Sequence, residues 1–164
     1  MTHKSLKIDF KTPLETQLKK LGIKNYLTLS ELTCEIKHGK TIKNVEDGKE
    51  MLNVSPKDAK DKFAKEGRRG LCIHEGLALL RANKNLLKDH YVDLVGSRCG
   101  AERSPSLCLS VDGPSLHSYW GGNAVPYWGA ASCLGVSESL GISSLELLEI
   151  KVKVGERIIN LIPE

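Results

Sequence analysis

The sequence lacks any apolar run that could cross a membrane: its longest clean patch is Leu77 to Leu80, against the roughly 18 residues that a spanning helix needs. The first residues, MTHKSLKIDFK, alternate charged and apolar side chains and supply no apolar signal core, so export is not expected and the cytoplasm is the default compartment. No C-x-x-C pair occurs, and the spacings of Cys99, Cys108, His117 and Cys133 match no zinc module, so no metal and no cofactor is expected. His74-Glu75 begins like a zinc-protease helix, but Ala78 stands where H-E-x-x-H requires its second histidine. The phosphate-cradling patterns G-x-x-x-x-G-K-[ST] and G-x-G-x-x-G are absent too, which removes the common nucleotide folds without excluding nucleotides. The five cysteines, at 34, 72, 99, 108 and 133, are odd in number and unevenly spaced. That argues against a disulfide framework and for thiols in a reducing compartment.

What is present is the composition of an ordinary globular chain: 164 residues, 40% hydrophobic and 27% charged. This is the length of one domain with one core. The net charge of +4 is unevenly spread, with 16 basic against 10 acidic side chains in residues 1–70 and 8 against 10 thereafter. Lysines that alternate with acids and have few aromatics among them describe a solvated face, so nucleic acid is expected to bind only weakly and electrostatically.

Local signals divide the chain into a basic helical part (1–40), a central part (41–135) and C-terminal strands (136–164), within one domain. Thr12-Pro13-Leu14-Glu15 has the form of a capped helix start, followed by Leu14, Leu18 and Leu21 on one face and Gly22 as a stop. Thr28 to Glu31 repeats the capping pattern and predicts a second helix with Leu29, Leu32 and Ile36, ending at Gly39. Thr41–Val45 and Glu50–Val54 flank Asp47-Gly48 and predict a hairpin. Ser55-Pro56-Lys57-Asp58 opens a helix burying Ala59 and Phe63, and Glu75 to Ala82 forms a short apolar one. Strands are predicted at Tyr91–Val95, Ser106–Val111, Ser115–Trp120, Leu147–Val154 and Arg157–Ile162. The sum is an α+β fold with a mainly antiparallel sheet and several short helices.

The stretch from Val95 to Gly135 carries the candidate chemistry. It contains both tryptophans and three cysteines, and from Pro105 onward Asp112 is its only charged residue. Cys99, in the Gly96–Gly100 loop with Arg98 and Arg103 nearby, is the most reactive-looking thiol, because guanidinium charge favours thiolate. If the protein is an enzyme, Cys99 with His117 and Arg98 would carry the reaction; the alternative is a packed cysteine at a strand end. The backbone of the same loop, with Ser97 and Arg98, could instead hold an anion. Trp120, Asn123 and Trp128 lie among glycines. They read either as a stacking wall for a ligand or partner or as a packed corner, with Trp120 expected in the core and Trp128 at the surface. The leading expectation is a binding protein for a small molecule or protein, using Ser97, Arg98, Cys99, Arg103, Trp120, Asn123 and Trp128. A cysteine enzyme and a structural or homo-oligomeric assembly protein are the alternatives.

Several motifs together resemble a bacterial family known only as a domain of unknown function. They are Gly67-Arg68, Ile73-x-Glu75-Gly76-x-Ala78-Leu79-Leu80, Gly96-Ser97-Arg98-Cys99-Gly100, Pro105-x-Leu107, Trp120-x-Gly122-Asn123, and Trp128 with Ser132-Cys133. The likeness covers about residues 67–135 and continues more faintly from Asn44 through Asn53-Val54-x-Pro56-x-Asp58-Ala59. It implies a shared fold and transfers no activity to any residue. A shorter N-terminal region and the 29 residues after Gly135 depart from it, and the latter are expected to complete a sheet edge or an oligomer contact.

Overall fold

The computed structural model describes residues 2–34 and 41–135. In chain order it has β1 (Thr2–Lys7), α1 (Leu14–Lys20), β2 (Lys24–Asn25), β3 (Leu32–Cys34), β4 (Thr41–Glu46), α2 (Pro56–Lys65), β5 (Arg68–Gly70) and α3 (Ile73–Ala82). Then come α4 (Leu86–Asp89), β6 (Tyr91–Asp93), β7 (Ser97–Cys99), β8 (Arg103–Ser110), β9 (Gly113–Trp120), β10 (Trp128–Ala130) and β11 (Ser132–Leu134). The fold is α+β, as the sequence implied, with mostly antiparallel strands in two sheets. One has the order β1-β4-β11-β5; the other runs β10-β6-β8-β7-β3, with β9 beside β8 and β2 beside β9. Among the described residues only β10/β6 and β2/β9 are parallel pairs.

The helix α3 is buried because its sequence is apolar nearly all round. Ile73 and every residue from Glu75 to Leu80 are buried, and its apolar side chains join Val45, Leu94, Leu107, Leu116 and Cys133 in the main core. Gly76 lets this helix approach the sheet, since a Cβ there would lie 2.5 Å from Leu94 Cδ2. Under α2 sits a smaller cluster of Met51, Ala59, Phe63, Val95 and Ala130. The start of α2 is as expected: Ser55 Oγ accepts the Asp58 N–H at 3.2 Å with Pro56 in the first turn. The two sheets are joined at Ala131, the single residue between β10 and β11. Its N–H donates to Asp93 O in one direction while its carbonyl accepts from Leu71 N–H in the other.

Four expectations need correction. Thr2–Lys7 is a strand against β4, with His3 and Leu6 less exposed than their neighbours, so the N-terminal part is not simply helical. The Thr12 side chain does not cap α1; the Asp9 carboxylate accepts the Lys11 and Thr12 N–H groups instead. Thr28–Glu31 closes only one 3₁₀ turn before the chain extends into β3, where Leu32 to Cys34 pair with Cys99 to Ser97. Backbone pairing with a strand far along the chain overrides the local helical pattern there. The second arm of the expected hairpin is a 3₁₀ turn at Lys49–Met51, and β4 pairs with β1 and β11. The cause is a close crossing: a Cβ on Gly48 would lie 2.5 Å from Gly129 O, so two backbones pass where a hairpin would have folded back. Ile36, Gly39 and the strands expected at Leu147–Val154 and Arg157–Ile162 lie outside the described residues.

Candidate functional site

At one end of the β8/β9 hairpin the strands open into a cleft of about 440 Å³. Its wall is built from three segments. Arg98 comes from β7, Arg103 and Trp120 face each other across the β8/β9 pair, and Lys57 and Lys60 project from the first turns of α2. Lys57 and Lys60 share a face because they are three residues apart on a helix. Hydrogen bonds hold these parts together: Lys57 N–H donates to Gly121 O at 2.9 Å and Gly121 N–H to Glu102 O at 2.8 Å. Arg103 is fixed from behind, with Nε donating to Ser118 Oγ at 2.9 Å and Nη2 to Ser118 O at 2.6 Å.

Trp120 is 53% exposed and forms the floor. Its ring lies over Gly122, where a Cβ would come within 2.5 Å of the indole Cη2. One face is therefore backed by a residue without a side chain. Four cationic side chains and one acid, Glu102, line the cleft, so its field is positive. The end of α2 adds no donors of its own, because the N–H groups of Lys57, Asp58 and Ala59 bond within the protein and Pro56 has none. The anion-attracting groups are the side chains.

The expected site residues separate. Arg98, Arg103 and Trp120 line the cleft, whereas Ser97, Cys99, Asn123 and Trp128 do not. Ser97 to Cys99 form a strand and not an open loop, and alternation on that strand turns Arg98 one way and Ser97 and Cys99 the other. Ser97 is fully buried, its Oγ accepting the Ile73 N–H at 2.9 Å. Cys99 is half-buried, and burial raises its pKa; Arg103 opposes that rise, while Glu31 adds to it. Burial thus works against the thiolate that the guanidinium charge would favour. His117 hydrogen-bonds Ser115 Oγ at 3.1 Å and stacks on Tyr26 with ring centroids 4.4 Å apart; burial lowers its pKa. Asn123 is exposed, its N–H closing a turn on Trp120 O.

Trp120 does not take its expected place in the core, whereas Trp128 keeps a partly covered ring. Trp120 ends its strand outside the core, and Trp128 is half-buried, 3.8 Å between centroids from Tyr119. The reason is β10: parallel pairing of Trp128 with Tyr91 draws that residue onto the sheet, where Asp93, Ser106 and Tyr119 share its face. Asp93 is 2% exposed, Oδ1 has no hydrogen-bond partner among the described residues, and desolvation pushes its pKa up to about 6 against a counteracting Ser106 hydroxyl.

Sequence reasoning misses Lys57 and Lys60, because the lysines of residues 1–70 taken together have the pattern of a solvated face. It also misses Cys34, Cys72 and His74, whose ligating atoms all lie within 4.8 Å of one another. These come from β3 and from the start of α3, and no spacing rule connects them.

The match to known families covers residues 12–139, and the model is that of a family of unknown function, DUF5701. The chain belongs to this family. DUF5701 thus takes in α1 and the described elements from β2 to β11, a wider span than the motifs alone delimit. No curated protein and no solved structure matches the chain. No helix among the described residues is long and apolar enough to cross a membrane.

Proposed function

We propose that this DUF5701 protein binds a small anionic molecule carrying a flat ring, in the cleft between α2 and the end of the β8/β9 hairpin. The observation that carries this reading is the half-exposed Trp120 ring set among Lys57, Lys60, Arg98 and Arg103. An exposed indole with one backed face is a stacking platform, and a guanidinium pairs with phosphate or carboxylate in a fixed fork geometry. A volume of about 440 Å³ suits a small molecule. The same reading puts the protein in a reducing, cytoplasmic compartment, supported by three buried thiols and the absence of disulfides.

The test uses the Trp128→Phe variant, in which Trp120 is the only tryptophan and reports on the cleft directly. Adenosine diphosphate, adenosine and inorganic phosphate are titrated as probes. Adenosine diphosphate is expected to quench the fluorescence saturably, with the other two binding at least about tenfold more weakly, since each supplies half of the contacts. Arg98→Ala and Lys60→Ala should each weaken the diphosphate, and Gly122→Ala should do so by pushing the ring aside. No saturable quenching by the diphosphate, or the same affinity for it in all three variants, would overturn the proposal.

A further inference from the structure

We propose that Cys34, Cys72 and His74 form a three-ligand site for a thiophilic divalent cation of the zinc class, with the fourth coordination position open to the surface. This site is separate from the cleft, because Cys34 faces Ser97 across the β3/β7 pair while Arg98 projects from the other side of β7.

The cluster is assembled by residues with structural reasons of their own. Ser97 stands opposite Cys34 and accepts the Ile73 N–H, which sets the start of α3 beside the end of β3. Gly96 allows that approach: a Cβ there would come within 2.9 Å of Cys72 N. Cys72 occupies the N-cap of α3, and its N–H donates to Glu75 Oε1 at 2.9 Å. Glu75 is in turn held by Arg69 through two bonds of 2.7 Å, so the nearby carboxylate is already neutralised and is not a fourth ligand.

Three features point to a metal. The ligand atoms lie within 4.8 Å of one another, while tetrahedral zinc with sulfur and nitrogen ligands sets such atoms about 3.5 to 3.8 Å apart. A shift of about 1 Å closes the site. Among the described residues the buried Nδ1 atom of His74 has no hydrogen-bond partner, which buried polar atoms rarely lack. A pocket of about 420 Å³ opens against Cys34 and His74, lined besides by Leu14, Leu29, Leu32 and Ile73. Zinc with three protein ligands and an accessible fourth position is the reactive kind of site, in which the metal holds water or a substrate atom.

Binding must balance protons. Both cysteines enter as thiols, so one divalent cation displaces two protons and forms two metal–sulfur bonds and one metal–nitrogen bond.

The test is a Co²⁺ titration of the full chain, kept reduced by a phosphine. One equivalent should produce thiolate-to-cobalt charge-transfer absorption, and Zn²⁺ should abolish it. Cys34→Ala and His74→Ala, both at half-buried positions, should each weaken Co²⁺ by at least about tenfold with an unchanged circular dichroism spectrum, whereas Cys99→Ala should bind as the parent does. Absence of thiolate–cobalt absorption in the reduced protein overturns the site. So does unchanged affinity in both the Cys34 and His74 variants, or loss of binding with Cys99→Ala.

Discussion

Asp93 gives the most direct test of the structure through pH. Its carboxyl is 2% exposed between β10 and β8 and is pushed up to about 6 by desolvation, with Ser106 only partly compensating. In the unfolded chain it titrates near 3.9. Because the folded value is the higher one, the protonated form is favoured by folding. Its contribution is fully present below about pH 4 and is lost as pH rises through about 6. The distance between the two values, at about 1.4 kcal/mol per pH unit, amounts to about 3 kcal/mol of stability forgone above neutrality. Asp93→Asn keeps the shape and removes the charge. Urea unfolding of both proteins between about pH 4 and 8 should show the difference in stability moving in favour of the variant by up to about 3 kcal/mol as pH rises. Every other titrating group is common to the two proteins and cancels in that difference. A difference that does not vary with pH would refute the burial of an ionisable Asp93.

Two further outcomes test what holds the start of α3. Glu75→Gln breaks a buried bidentate pair, leaving Arg69 charged and only 10% exposed at its side chain, so a loss of roughly 3 to 5 kcal/mol in denaturant unfolding is expected, part of it recovered by adding Arg69→Met. Gly96→Ala would push a methyl group against Gly70 O, Leu71 C and Cys72 N, all backbone atoms within 2.9 Å, and should cost about 3 kcal/mol by thermal or denaturant unfolding. Gly122→Ala, which meets only the far end of the Trp120 ring, should cost far less, and equal losses at the two glycines would contradict the geometry.

The sequence by itself determined the parts whose causes are local. The Ser55 cap with Pro56, the largely apolar run of α3 and the alternating strands around Asp112-Gly113 each carry their structure within a few residues, and each is found where the pattern puts it. A resemblance to a family of unknown function was legible in the chain as well, and the family match over residues 12–139 bears it out. What only the tertiary structure decided is pairing between short strands. Runs of two or three residues, such as Lys24–Asn25, Leu32–Cys34 and Trp128–Ala130, have too few side chains for alternation to name a partner or a register. Those pairings turn Thr28–Glu31 into a single turn and draw Trp128 onto the sheet. Packing α2 against Gly121 brings Lys57 and Lys60, from the basic half of the chain, to Trp120 and Arg98 in the other half. Cys34 likewise reaches Cys72 and His74 only because β3 lies against β7. Both candidate sites are made of residues far apart in the chain, and the contacts that join them exist only once the sheets have formed.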